Sequence, residues 1–165
     1  MYKIRDFIDK EVFLVNGKRI GLVSGLLVDF SSMKVETLVI NRFGFLRNKY
    51  VLCEDIISIS RYIIVSSLST AKGISISNVL MKNVYSKNGM LRGNVSDVLI
   101  DEQSLGFAGI ICYRGIRNKI KQGDIIIPVN ETILGKDYIL DKGNGHITFN
   151  SIIHKAEEDM LNGNS

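Results

Sequence analysis

The chain has 165 residues, of which 45% are hydrophobic and 23% charged, the balance of an ordinary globular protein. Its net charge of +4 permits an anionic partner without demanding one. The excess lies early: residues 1–75 carry 11 Lys+Arg against 7 Asp+Glu, residues 76–165 carry 10 against 10.

The opening Met1-Tyr2-Lys3-Ile4-Arg5-Asp6 puts charges where a signal peptide needs an apolar core, and no apolar run approaches a membrane span. The expectation is a cytoplasmic protein with no integral membrane association. Residues 4–8 form a lead-in of about one helical turn. A strand over 12–15 follows, then Asn16-Gly17, a hairpin signal that favours a two-residue type I′ turn. Gly21 lies inside the next strand and marks a bulge or a barrel corner. A long apolar strand runs over 22–30, Asp29 sits at its end before a turn over 31–34, and a strand over 35–40 returns. A loop over 41–49 leads to a strand at 50–52, a short helical turn over 53–58 and a closing strand over 62–66.

The chain then repeats itself. At an offset of 72, nine of the 29 pairs from position 12 to position 40 are identical: Val12, Asn16, Gly17, Gly21, Val23, Ser24, Leu27, Asp29 and Ser32. Such self-similarity is the first thing to establish about a fold. The second copy has its lead-in at 76–80, its turn at Asn88-Gly89, its strand glycine at Gly93, its strand-end aspartate at Asp101 and its loop at 114–123. Cys53 aligns with Pro128 at an offset of 75, which makes the second loop three residues longer. The units meet near Ser69-Thr70-Ala71-Lys72-Gly73, a link too short to be a flexible tether. Each unit holds about five short strands, and each is small enough to bury only a modest core alone. After a break at 142–145, residues 146–149 read as a final strand. Residues 151–161 read as a short helix, with Ser151 as N-cap and Ile152, Ile153, Ala156 and Met160 on one face.

These residues carry a family pattern: Asn-Gly, a strand glycine, an apolar strand ending in Asp, then an apolar element followed by a proline-led turn. The chain shows it as Asn16-Gly17, Gly21, Asp29 and Cys53-Glu54-Asp55-Ile56, and again as Asn88-Gly89, Gly93, Asp101 and Pro128-Val129-Asn130. The pattern resembles the PRC-barrel domain. That family is a small β-barrel found in the H subunit of purple-bacterial reaction centres, in a small-subunit ribosome maturation factor and in free-standing bacterial and archaeal proteins. The resemblance implies an all-β fold of two tandem PRC-like β-barrels, residues 1–72 and 73–142, with a short helical tail over 143–165. It also implies a non-catalytic adaptor that binds a protein or ribonucleoprotein partner and needs no cofactor.

Few residues in the sequence carry a recognisable chemistry. His146 and His154 lack zinc-ligand spacing, and no nucleophile elbow or phosphate-binding loop is present. Cys53 and Cys112 lie in apolar runs and read as buried thiols. Asp29 and Asp101 read as acceptors for turn amides. The residue set Asn16, Gly17, Gly21, Asp29, Asn88, Gly89, Gly93 and Asp101 is therefore structural. The surface feature that invites a partner is the pair of basic loops, with Arg42, Arg47 and Lys49 in one and Arg114, Arg117, Lys119 and Lys121 in the other. Phe43, Phe45, Tyr50 and Tyr113 lie among them. Basic groups interleaved with aromatics suit a phosphate backbone and stacked bases; the plainer reading is a pair of solvated loops that protect a sheet edge. Two functions follow: a cytoplasmic adaptor for a protein partner, which includes a homodimer, or an RNA- or ribosome-associated factor using loops 41–50 and 113–123.

Overall fold

The computed structural model describes residues 1–42, 47–115 and 124–143, together with the backbone of 147–149. The helix expected over 151–161, the histidines, Phe43, Phe45, Arg117, Lys119 and Lys121 lie outside the described residues. Within them the protein is all-β, in two sheets.

The first sheet is built from β2 (Glu11–Leu14), β3 (Arg19–Asp29), β4 (Lys34–Asn41), β5 (Lys49–Leu52), β6 (Ile56–Ile59) and β7 (Ile63–Val65). Its order is β5-β4-β3-β2-β7-β6. The two ends of that order, β5 and β6, are joined by a single 3₁₀ turn at Cys53–Asp55. So short a connection draws the ends together and curls the sheet into a barrel. The second sheet repeats the plan with β9 (Asn83–Ser86), β10 (Leu91–Ile100), β11 (Phe107–Tyr113), β12 (Asp124–Pro128), β13 (Thr132–Leu134) and β14 (Tyr138–Asp141). A turn at Val129–Glu131 joins β12 to β13, and β15 (Ile147–Phe149) adds to the free edge of β12.

Register corrects three sequence expectations. Thr37 pairs with Leu52 and its repeat partner Gly109 pairs with Pro128. Leu52, not Cys53, therefore stands at the proline position; the offset after the loop is 76, and the second loop is four residues longer. An insertion inside a variable loop hides a one-residue slip that only hydrogen-bond register reveals. Second, the helical reading of 53–58 holds for three residues only, after which the chain re-enters the sheet as β6. Third, the Asn-Gly turns are not type I′, because Gly17 and Gly89 have positive φ while Asn16 and Asn88 do not. Leu14 donates to Lys18 and Gly17 donates to Leu14. This is a three-residue loop in which a type I turn is followed by a left-handed glycine. Asn16 Oδ1 accepts from the Lys18 amide at 3.1 Å and closes it.

The long strands outrun their own partners. β3 has 11 residues and β2 has four, so β2 covers only the first half of that edge, up to Leu22. The second half is covered by β8 (Ile74–Ser75), the lead-in of the other repeat, with Leu27 opposite Ser75 and Val28 opposite Ile74. Reciprocally, β1 (Tyr2–Lys3) pairs with β10, with Tyr2 opposite Ile100 and Lys3 opposite Leu99. The lead-ins are thus exchanged between the repeats. Each continues into a 3₁₀ turn, at Ile4–Asp6 and Ile76–Asn78, which buries Ile4, Phe7, Ile76 and Val79 in a core cluster that draws on both barrels.

A pseudo-twofold axis relates the halves. Val35 N donates to Leu105 O at 3.0 Å and Phe107 N donates to Met33 O at 2.8 Å, and both pairs map onto each other under the offset of 72. Lys34 bridges Gly106 across the axis in antiparallel sense. Met33 and Leu105 hold φ of 53° and 52°, a left-handed conformation that branched or bulky residues avoid; it turns their carbonyls toward the opposite repeat. One asymmetry pins the exchange. Buried Asp97 stands where the first repeat has Gly25, and its carboxylate accepts from Ile4 N at 2.9 Å and Arg5 Nε at 2.6 Å.

The strand glycines mark the sharp barrel corners. Gly93 has φ +143°, and a Cβ there would stand 2.4 Å from Tyr113 O; Gly21 makes the same approach to Asn41 O. Gly17, by contrast, has φ +82° with open space around it. Gly93→Ala is expected to cost about 3 kcal/mol, since backbone must move as well as strain. Gly17→Ala is expected to cost about 1 kcal/mol from strain alone. Urea unfolding of both variants tests this; equal losses would remove the close approach as the cause.

Candidate interaction surfaces

The described residues of the two basic loops lie past the ends of β4 and β11. Lys34 and Gly106 face each other at the pseudo-twofold axis in antiparallel sense, so β4 and β11 leave it in opposite directions. Seven residues further on, each strand reaches its loop. At ~3.3 Å per residue the two loops stand on the order of 45 Å apart along the strands. Arg42 and Arg47 are exposed and Lys49 is half-buried at one end; Arg114 is exposed at the other. Tyr50 and Tyr113 are half-buried. The structure therefore unites Arg42, Arg47 and Lys49 but keeps them far from Arg114.

The strand-end aspartates face their own turns. Asp29 accepts from Ser31 N at 2.8 Å, Ser31 Oγ at 2.7 Å and Ser32 Oγ at 2.8 Å. Asp101 accepts from Ser104 N at 2.8 Å and Ser104 Oγ at 2.7 Å, with Gln103 N at 3.2 Å. These bonds stabilise the carboxylate. The Ser31 hydroxyl, then Ser32 and the Ser31 amide, hold Asp29 down at about 2; the Ser104 amide and hydroxyl lower Asp101. Ser24 and Ser96, identical in the repeats, donate to equivalent carbonyls, Val39 O at 3.2 Å and Ile111 O at 3.1 Å.

Cys112 is buried and Cys53 half-buried, and both are free. Burial pushes each thiol up to about 12, so neither supplies a thiolate nucleophile near neutral pH. Among the described residues no cluster of three or more His, Cys, Asp or Glu side chains is placed to hold a metal ion. No helix among them is long and apolar enough to cross a membrane.

A different surface repeats at equivalent positions. Val12, Ile63 and Val65 point into the first barrel, so alternation turns Phe13, Tyr62 and Ile64 outward. Phe13 and Tyr62 meet edge to face with ring centroids 5.7 Å apart. In the second barrel Tyr85 and Tyr138 meet in the same way at 5.8 Å. The adjoining hairpin exposes Ile57 in one barrel and Ile133 in the other. Each barrel thus displays an aromatic pair and an isoleucine beside its terminal strand, β6 or β13. Sequence reading passed over this surface, although the match of Phe13 to Tyr85 and of Tyr62 to Tyr138 was its visible signal.

A model of the PRC-barrel domain family matches residues 1–72 and again residues 71–147. The chain belongs to the PRC-barrel domain family. Comparison with curated proteins gives no significant match. The family assignment agrees with two barrels of one plan, and the strand-end aspartates and corner glycines of the PRC pattern are the residues whose backbone contacts have just been described.

The Asp29 bonds fix a pH dependence. Its folded value of about 2 lies below the ordinary 3.8, so folding favours the charged form. The turn's contribution to stability is complete above about pH 4 and is lost as pH falls through about 2. A carboxyl-detected NMR titration is expected to show a midpoint near 2 for Asp29, moving up in Ser31→Ala/Ser32→Ala. A midpoint near 4 in the unmodified protein would dissolve the network.

Proposed function

We propose that this PRC-barrel protein is a non-catalytic cytoplasmic adaptor, which docks a protein partner on the outward aromatic faces of its two barrels. One observation carries the reading: both repeats keep an edge-to-face aromatic pair with one ring exposed, Tyr62 or Tyr138, and an exposed isoleucine at equivalent positions. Aromatic side chains left half in solvent beside aliphatic ones are the usual anchors of a protein interface. The edge strands β6 and β13 offer backbone groups for an added strand. Because the pseudo-twofold axis doubles the face, the adaptor is bivalent: it binds two copies of one partner, or one partner that is itself twofold. A second copy of the chain satisfies the same geometry, and sedimentation of the isolated protein separates that case from a foreign partner.

The RNA- or ribosome-directed reading rests on the exposed Arg42, Arg47 and Arg114. It requires a phosphate backbone to engage loops at opposite ends, or one loop to act alone.

Tyr62→Ser/Tyr138→Ser is expected to weaken capture of the partner at each face by ~2 kcal/mol, about thirtyfold, with the barrels still folded. Capture should survive high salt and nuclease. The complementary variant neutralises Arg47, Lys49, Arg117 and Lys119 and should leave capture unchanged. Binding that disappears with salt or nuclease, and with the charge variant rather than the tyrosine variant, would replace the adaptor reading with the RNA one.

A further inference from the structure

The two barrels are close copies, and one end of the second departs from the first in a concerted way. In the first barrel the corresponding places hold Leu14, Ile20, Leu22 and Val65, with Ile20 and Val65 fully buried. The register places Val65 opposite Leu14 and Asp141 opposite Ser86, so the equivalent residues are Ser86, Arg92, Asn94 and Asp141. Four hydrocarbon side chains have become four polar ones. Asp141 is wholly buried and Arg92 is 29% exposed; Asp141 Oδ2 lies 3.4 Å from Arg92 Nε. Asp141 Oδ1 accepts from Gly143 N at 2.8 Å, and Ser86 Oγ accepts from Met90 N at 3.1 Å.

The fold does not need this pair, because the first barrel closes on Ile20 and Val65. Burying two charges incurs a desolvation cost that hydrocarbon of the same size avoids. What the pair does supply is a guanidinium drawn to a buried carboxylate, its Nε 3.4 Å from Asp141 Oδ2 while the side chain stays partly exposed. Arg92 lines an open groove of about 630 Å³, whose walls include Asn94, Tyr113 and a second guanidinium, Arg114. A smaller groove of about 230 Å³, lined by Lys87 and Lys142, lies on the other side of Arg92.

We propose that the open end of the second barrel is a binding site for a small organic phosphate, with Arg92 as the residue that takes its oxyanion. A guanidinium offers parallel N–H groups to two oxygens of one phosphate. Arg114, which lines the same groove, brings a second guanidinium to a third oxygen, which a carboxylate does not possess. Asn94, whose Nδ2 donates to Asn83 Oδ1 at 2.7 Å and to Met81 O at 3.3 Å, forms part of the wall, and the groove has the size of an ordinary small-molecule site, with the Tyr113 ring available to a flat organic portion. Asp141 is a positioning residue: it touches Arg92 and not the ligand. The first barrel, with Ile20 and Leu22 at the equivalent places, offers no such site, so binding is one per chain.

The first barrel also supplies the control. Arg92→Ile/Asp141→Val installs its residues in the second and should fold. Thermal unfolding of the full chain would be followed with inorganic phosphate, with acetate, and with chloride at matched ionic strength. The unmodified protein is expected to be stabilised by phosphate along a saturating curve, and the double variant to lose that response. Arg114→Gln, which leaves the buried pair in place, should weaken phosphate binding by about tenfold, and it carries the same test should the double variant not fold. A phosphate response no larger than that of chloride overturns the site. So does a response that survives unchanged in either variant, and an equal response to acetate overturns the assignment to phosphate.

Discussion

The structure depends on how the edges of its two long strands are covered. β3 and β10 extend well past the four-residue strands β2 and β9 that pair with them. Half of one edge of each would stand with open amides and carbonyls in the middle of the molecule, where they are costly. The lead-in of the opposite repeat fills each gap. Because the exchange is reciprocal, neither barrel is complete without the other, and the apolar residues after each lead-in, Ile4 and Phe7 or Ile76 and Val79, complete a shared core. Two units of about 70 residues, each too small to bury much alone, become one cooperative body.

Much of this was legible in the sequence, because duplication supplies an internal comparison. Identical residues fell where backbone geometry allows little choice. Gly21 and Gly93 meet a carbonyl, Asp29 and Asp101 collect turn donors, and Ser24 and Ser96 each donate to a carbonyl across the strand. The β-barrel plan and the tandem PRC-barrel assignment followed from them. The exchange was not legible, since a two-residue strand such as Ile74–Ser75 has no periodicity and pairs through its backbone. The slip at Pro128 arose where loops of unequal length separate the strands, so that only the pairing of Gly109 could fix the register. The Asn16-Gly17 dipeptide serves a type I′ turn and the observed three-residue loop equally well.

The surfaces divide in an informative way. What both repeats retain is outward and apolar, the edge-to-face pairs Phe13–Tyr62 and Tyr85–Tyr138; this argues for docking that uses the twofold symmetry. What one repeat alone has acquired is polar and partly buried, the Arg92–Asp141 pair; this argues for a task that symmetry does not serve. Charge alone points to Arg42, Arg47 and Arg114 beyond the strand ends, whereas Arg92 lies inside a strand, at the place that Ile20 holds in the sister repeat.

The shared core stands or falls on the exchanged lead-ins. The most direct measurement is the pattern of interstrand NOEs in the monomeric full chain. The exchange predicts contacts from Tyr2 to Ile100 and Lys3 to Leu99, and from Ile74 to Val28 and Ser75 to Leu27, all within one molecule. Contacts from Tyr2 and Lys3 to Val28 and Leu27, the lead-in folded back on its own repeat, would contradict it and leave two independent barrels on a short link.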